Sequence, residues 1–193
     1  MSTLGLTTTQ LGLIIALVVI LVAGFGTLMF LRKRRSDRLR NKFGEAEYAR
    51  SMKESANRWQ AEAELKEREE RVASFHVRPI APADRARFEE DWRKIQARFV
   101  DGPTGAVAEA DELLGQVMST RGYPVSDFEQ RAADISVDHS SVVENYRAAH
   151  EIALRQVKGQ ATTEDLRQAM IHYRTLFEEL VSEPSVTHMK AAS

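Results

Sequence analysis

With no cysteine in its 193 residues, the chain's candidates for chemistry start with its histidines, carboxylates and hydroxyls. Disulfides and thiolate metal sites are therefore excluded, which fits a reducing compartment. The five histidines are His76, His139, His150, His172 and His188. None falls in an H-E-x-x-H pattern, or in another spacing that sets two ligands on one helix face. Asp138-His139 has the form of a base beside its orienting acid. The same pair reads more simply as a helix cap followed by an exposed histidine. His150 follows Tyr146 by four residues, on the same helix face, and is expected to be half-buried and bonded across a bundle. No G-x-S-x-G elbow and no glycine-rich phosphate loop occurs. The carboxylates are spread along helical segments as a solvated face. No catalytic residue, metal or cofactor is therefore expected. A membrane-tethered enzyme built on Asp138/His139 or Tyr146/His150 is kept as an alternative.

The stretch from Arg121 to Glu129, continuing to Ser136-Val-Asp-His139, packs glycine, proline, aromatic and charged residues into a turn-rich connection. Loops are where binding residues concentrate. Arg121, Tyr123, Pro124, Asp138 and His139 form the candidate recognition surface.

What must position these groups begins at the N-terminus. Residues 1–31 carry no charged side chain, and residues 11–31 are almost wholly apolar. At ~1.5 Å per residue that run reaches about 31 Å, the thickness of a bilayer core. It is expected to be a transmembrane helix rather than a cleaved leader. The N-region has no Lys or Arg, the run is too long, and no cleavage site precedes Arg32. Arg32, Lys33, Arg34, Arg35, Arg38, Arg40 and Lys42 follow at once, against the single acid Asp37. Basic residues beside a span stay on the cytoplasmic side, so the short N-terminus (1–10) is expected outside and the rest in the cytoplasm. These seven residues are the expected contacts to anionic lipid headgroups. The charge is split: +6 over residues 32–42 and −7 beyond them. An acidic domain behind a basic collar is a poor match to nucleic acid.

Past the collar the fold class is expected to be all-α, since no run alternates β-branched residues and all five prolines fall between periodic segments. Residues 43–75 read as one long polar juxtamembrane helix with a thin stripe of Tyr48, Met52 and Trp59. Such a helix is a solvated stalk or a short coiled coil, and a homo-oligomer through it is possible. Residues 82–181 read as a small helical bundle. Phe88, Trp92, Ile95 and Phe99 recur at helical spacing. A second segment runs from Asp101, a candidate cap, to Gly122. Ser126-x-x-Glu129 has the pattern of a capping box opening a third. Asp138 or Ser140 is expected to cap a fourth, with Tyr146 and Ala149 inward and Gly159 as its stop. Thr162-x-x-Asp165 opens the last, with Leu166, Met170, Tyr173, Phe177 and Leu180. Residues 182–193 are expected to be a disordered tail.

Several pieces carry a likeness: Phe43-Gly-x-Ala-Glu-Tyr48, Trp92-x-x-Ile-Gln-x-x-Phe-Val-Asp101, Arg121-Gly-Tyr-Pro124, Ser136-Val-Asp-His139, Tyr146-Arg-x-Ala-His150 and Thr163-Glu-Asp-Leu-Arg-Gln-Ala-Met170. Over residues 43–180 the chain resembles a family of uncharacterised bacterial proteins with one N-terminal anchor and a helical domain, usually called hypothetical or secreted proteins. Ala46 stands where that family is expected to have proline. The resemblance implies bacterial origin and no activity, cofactor or catalytic residue. The functional expectation is a single-pass inner-membrane protein whose cytoplasmic domain binds a protein partner.

Overall fold

The computed structural model of the protein describes residues 8–124 and 126–182, with side chains from residue 17 onward. The expected N-terminal segment 1–10 and the tail 182–193 therefore lie largely outside the described residues. The described chain is all-α, with no strand. Its helices are α1 (Thr8–Glu54), α2 (Arg58–Ala73), α3 (Pro82–Arg98), α4 (Pro103–Arg121), α5 (Phe128–Asp138), α6 (Val143–Val157) and α7 (Thr163–Ser182). Among the described residues no helix is long and apolar enough to cross a membrane. The expected span, residues 11–31, begins in a stretch whose side chains lie outside them.

The long polar helix expected over residues 43–75 does not form. It is broken twice, and both breaks have local causes. Gly44 sits at φ 75°, ψ 165°, inside α1. Only glycine adopts that conformation without strain. It divides α1 into arms 8–43 and 45–54. The second arm folds back: the Ser36 Oγ and the Tyr48 hydroxyl are 2.7 Å apart. In a straight helix twelve residues separate them by ~18 Å, beyond the reach of the two side chains. The second break is the turn at residues 55–57. There Asn57 is extended, and its side chain accepts from the Gln60 N–H at 3.0 Å, capping α2. Helix propensity was high on both sides, but a local cap and a left-handed glycine outweigh it.

The thin stripe is used within the chain. Leu39, Phe43, Tyr48, Leu65 and Val72 are buried and continuous with the core of the other helices. Of the stripe Tyr48, Met52 and Trp59 that a coiled-coil seam would use, Tyr48 is buried and Met52 half-buried in this core. Trp59, counted in that stripe, is 78 % exposed.

Helices α3 to α7 form the bundle. α7 packs against α6 and α4, α4 also against α3, and short α5 joins the α1–α2 hairpin to α6. The α3 stripe behaves as its spacing predicts: Phe88, Trp92 and Ile95 are buried, and Phe99 is half-buried. Trp92 stacks on Phe177 of α7, with ring centroids 4.8 Å apart. Gly122 ends α4 at φ 98°, and the Tyr123 N–H reaches back to the Met118 carbonyl. A second demand falls on Gly122. A Cβ there would lie 2.4 Å from the His76 carbonyl oxygen, so the linker 75–81 is packed on this turn. The Arg78 N–H donates to the Arg121 carbonyl at 2.8 Å.

The remaining caps divide. Thr162 and Asp165 make a reciprocal box: the Asp165 N–H donates to Thr162 Oγ1 and the Thr162 N–H to Asp165 Oδ2. Ser126 does not cap α5. Its neighbour Asp127 does, accepting from the Gln130 N–H at 2.9 Å. Neither Asp138 nor Ser140 caps α6, because α5 continues through Asp138 and α6 opens at Val143. Asp101 gives no side-chain cap to α4, whose N-cap is Gly102.

Candidate functional site

Three of the five residues of the expected recognition surface, Arg121, Tyr123 and His139, are buried. Only Pro124 and Asp138 are exposed. Tyr123 is buried, and its hydroxyl donates to Asp138 at 3.2 Å. Arg121 is 1 % exposed; its guanidinium donates to the Leu180 carbonyl near the end of α7, at 2.8 Å. His139 is equally buried, with Nδ1 3.5 Å from a Glu179 carboxylate oxygen. Expected as an exposed residue after a cap, it is enclosed because α5 runs one residue short of it and turns into α6 there. The His139 carbonyl takes the Val142 and Val143 N–H groups. These residues join the C-terminal part of α7 to the α4–α5 and α5–α6 turns. Arg121, Tyr123 and His139 are polar parts of the core.

The titratable groups that do converge lie inside the bundle. Asp111 on α4 and Arg131 on α5 are 3.6 Å apart. Gly115 leaves the room for that reach: a Cβ there would lie 2.9 Å from an Arg131 guanidinium nitrogen. Tyr146 on α6 and Tyr173 on α7 are fully buried, their rings 6.2 Å apart. Burial pushes both hydroxyls far above the usual phenol range, and the Asp111 carboxylate adds to it. His150 stacks on Phe128, with ring centroids 3.5 Å apart. Burial holds it below the ordinary imidazole value, against the opposing pull of Asp111. The expected bond across the bundle is thus replaced by a ring stack. His172 makes such a bond instead, its Nδ1 lying 2.7 Å from Asn145 Oδ1. Chemically this cluster retains protons on its phenols. A general base near neutral pH needs the opposite bias.

A second polar centre fixes the hairpin to the bundle, and no sequence motif announces it. Glu47, on the second arm of α1, is buried. Arg147 of α6 donates to both its oxygens, at 3.1 and 3.3 Å, and Arg68 of α2 adds a third bond at 2.9 Å. Arg147 also donates to Glu129 of α5 at 2.9 Å. Beside it Arg71 of α2 grips the buried Asp134 of α5 at 2.6 and 3.0 Å. Glu47 and Arg147 are 100 positions apart, which is why spacing could not reveal them.

The basic collar is divided in two. Arg38 and Lys42 both donate to Glu69 of α2 at 2.9 Å, and Arg40 pairs with Glu45 across the Gly44 bend. Burial alone would raise Glu69, but Lys42 and Arg38 outweigh it and hold the carboxyl below its usual value. Arg32, Lys33, Arg34 and Arg35 are exposed and have no acidic partner among the described residues. Arg34 lies over the Phe30 ring at 4.4 Å. N-terminal to them residues 17–31 present eleven large apolar side chains to the outside, each roughly half exposed or more. Just C-terminal, a closed ring of hydrogen bonds ties the collar to the hairpin. Arg58 donates to Ser36, Ser36 to Tyr48, Tyr48 to Glu62 at 3.1 Å, and Arg58 to Glu62 at 2.9 Å. Burial opposes the Glu62 charge, and these hydrogen bonds overcome it.

Among the described residues no cluster of three or more His, Asp and Glu side chains could hold a metal ion. The junction of bare apolar helix, free basic residues and returning hairpin is the part of the molecule whose chemistry points outside it. No protein-family model, no curated protein and no solved structure matches the chain, so this geometry stands without a relative to interpret it.

Proposed function

We propose that the chain is a single-pass membrane protein, with residues 11–31 as the span and the helical domain on the cytoplasmic side. The observation that carries this is the change of character along one helix. From residue 17 to residue 31 the large apolar side chains of α1 are bare, while Leu39 and Phe43 on the same helix are buried against the domain. A fold that covers its own apolar residues so fully leaves a bare apolar stretch for another medium, and the described part is continuous with an apolar run of bilayer length. Arg32, Lys33, Arg34 and Arg35, unpaired with acids, stand where anionic headgroups begin.

The role of the domain follows from what it lacks chemically and from what it exposes. Tyr146, Tyr173 and His150 are all held toward their neutral forms by burial, which lends the enzyme alternative no support. At the bundle end remote from Glu47, Val100 and Val157 are 82 % and 86 % exposed. The Gln156 amide donates to Thr104 at 3.0 Å, which brings the α3–α4 turn beside the end of α6. We read this end as a docking face for a protein partner in the cytoplasm of a bacterium, in keeping with the family resemblance.

The test is topological. A reporter active only in the periplasm, fused after Ser193, should be silent, and one active only in the cytoplasm should work. The fused chain should resist alkaline extraction of membranes. Periplasmic activity overturns the orientation, and extraction of the chain overturns the span. For the docking face, cross-linkers placed at Val100 and Val157 in native membranes should capture one partner that Val100→Asp and Val157→Asp release.

A further inference from the structure

We infer that Trp59 is a second membrane contact, lying in the headgroup layer beside the collar and holding the hairpin down on the bilayer. The inference rests on the reading of residues 11–31 as a span. It concerns a different part of the chain, nearly thirty residues past the end of that span.

The position follows from the fold-back at Gly44. Arg58 donates to Ser36, and Ser36 to Tyr48, so the start of α2 is tied to the first arm of α1 at Ser36. Ser36 lies five residues past Leu31, or about 7.5 Å along the helix. The headgroup region on each side of a bilayer is roughly 5–8 Å deep. Trp59 is the next residue after Arg58, and its exposed indole has a reach of several ångströms from the backbone. A linear stalk would have carried Trp59 away from the surface, and the observed bend returns it.

Exposure and chemistry agree with the position. Trp59 is 78 % exposed, whereas the other tryptophan, Trp92, is 5 % exposed and stacked in the core. An indole combines an apolar body with one N–H donor, a pairing that favours the membrane–water interface over either bulk phase. The flanking groups do not oppose such contact. Glu62 is occupied by Arg58 and Tyr48, Glu54 pairs with Arg50 at 2.7 Å, and exposed Lys53 adds a positive charge at the same turn. Two contacts, span and indole, would fix the tilt and rotation of the domain, which a single helix leaves open.

The experiment uses the full chain reconstituted in phosphatidylcholine–phosphatidylglycerol vesicles. Trp59 emission is obtained as the difference between the wild type and Trp59→Phe, a surface change that leaves the core intact. Nitroxide lipids labelled near the headgroup should quench that signal more than lipids labelled near the bilayer centre. Acrylamide in the water should quench it less than it quenches free tryptophan. Because the chain has no cysteine, Gln60→Cys carries a single spin label as an independent depth measure, and it should report the same layer. Flotation of the same vesicles reads the anchor separately. If the chain floats and Trp59 is open to acrylamide and untouched by either lipid, the inference fails while the span stands. Protection from acrylamide without quenching by lipid means burial against protein, for instance a second copy, and also overturns it. If the chain does not float, the span fails, and this inference with it.

Discussion

His150 illustrates how a single residue changes meaning between sequence and structure. Four residues after Tyr146, it reads as a polar group on an inward face; in the fold it is a stacked ring against Phe128 of α5. Burial depresses its folded-state pKa below the ordinary 6.5. The folded chain therefore resists protonation there while the unfolded chain accepts it. Its contribution to stability is present above about pH 6.5 and is lost as pH falls through the folded value. Tyr146 and Tyr173 act at the opposite limit. Their folded pKa values lie above the ordinary 10, so stability is full below pH 10 and falls above it as the unfolded chain loses phenolic protons. Denaturant midpoints measured across pH should decline on both sides of a neutral plateau. His150→Phe, which keeps the stack, should flatten the acid side only. An unchanged acid slope in that variant would remove His150 from the account.

The element scale is governed by the hairpin made from the second arm of α1 and α2. Its own stripe is thin, and its attachment relies on charge as much as on apolar area. Breaking a buried ion pair by removing one partner costs about 3–5 kcal/mol, because the other charge is left desolvated. Arg147→Met should thus destabilise the chain by ~3 kcal/mol, near the lower end because Arg68 still holds Glu47. Glu47→Gln combined with Arg147→Met should lose less than the sum of the single changes, with a coupling of more than about 1 kcal/mol. Urea unfolding of the detergent-solubilised chain measures both. Additive losses would mean that Glu47 and Arg147 do not act as one unit.

At the scale of the whole molecule, hairpin and bundle share one core. Phe43 and Leu65 belong to the same buried cluster as Trp92, Tyr173 and Leu180. Such a core predicts one cooperative transition rather than a stalk melting apart from a domain. Circular dichroism and the emission of Trp92 should lose their folded signals at the same urea concentration. Removal of residues 43–75 should abolish that transition rather than trim it, since α5 would lose the layer that the α1–α2 hairpin packs against it. A shortened chain that keeps the full transition would restore the picture of an independent bundle.

The sequence by itself determined what is local. The all-α class followed from periodicity and from prolines confined to linkers. The Gly122 stop and the Thr162–Asp165 box were legible because each depends on residues within about six positions, and the α3 stripe because one helix face suffices to define it. Only the tertiary structure decided whether a neighbour was available. Ser126 carries the capping-box pattern, but α5 opens at Phe128, so the adjacent Asp127 takes the N-cap position. Gly44 is a glycine inside a helical pattern, the one local signal of the bend, and its φ of 75° turns a stalk into a hairpin. Arg121 and His139 look like surface residues by type. They are enclosed because α7, some forty to sixty positions later, brings the Leu180 carbonyl and the Glu179 carboxylate to them. Glu47 meets Arg147 for the same reason: burial of a charge is set by partners distant in the chain, and no local pattern records them.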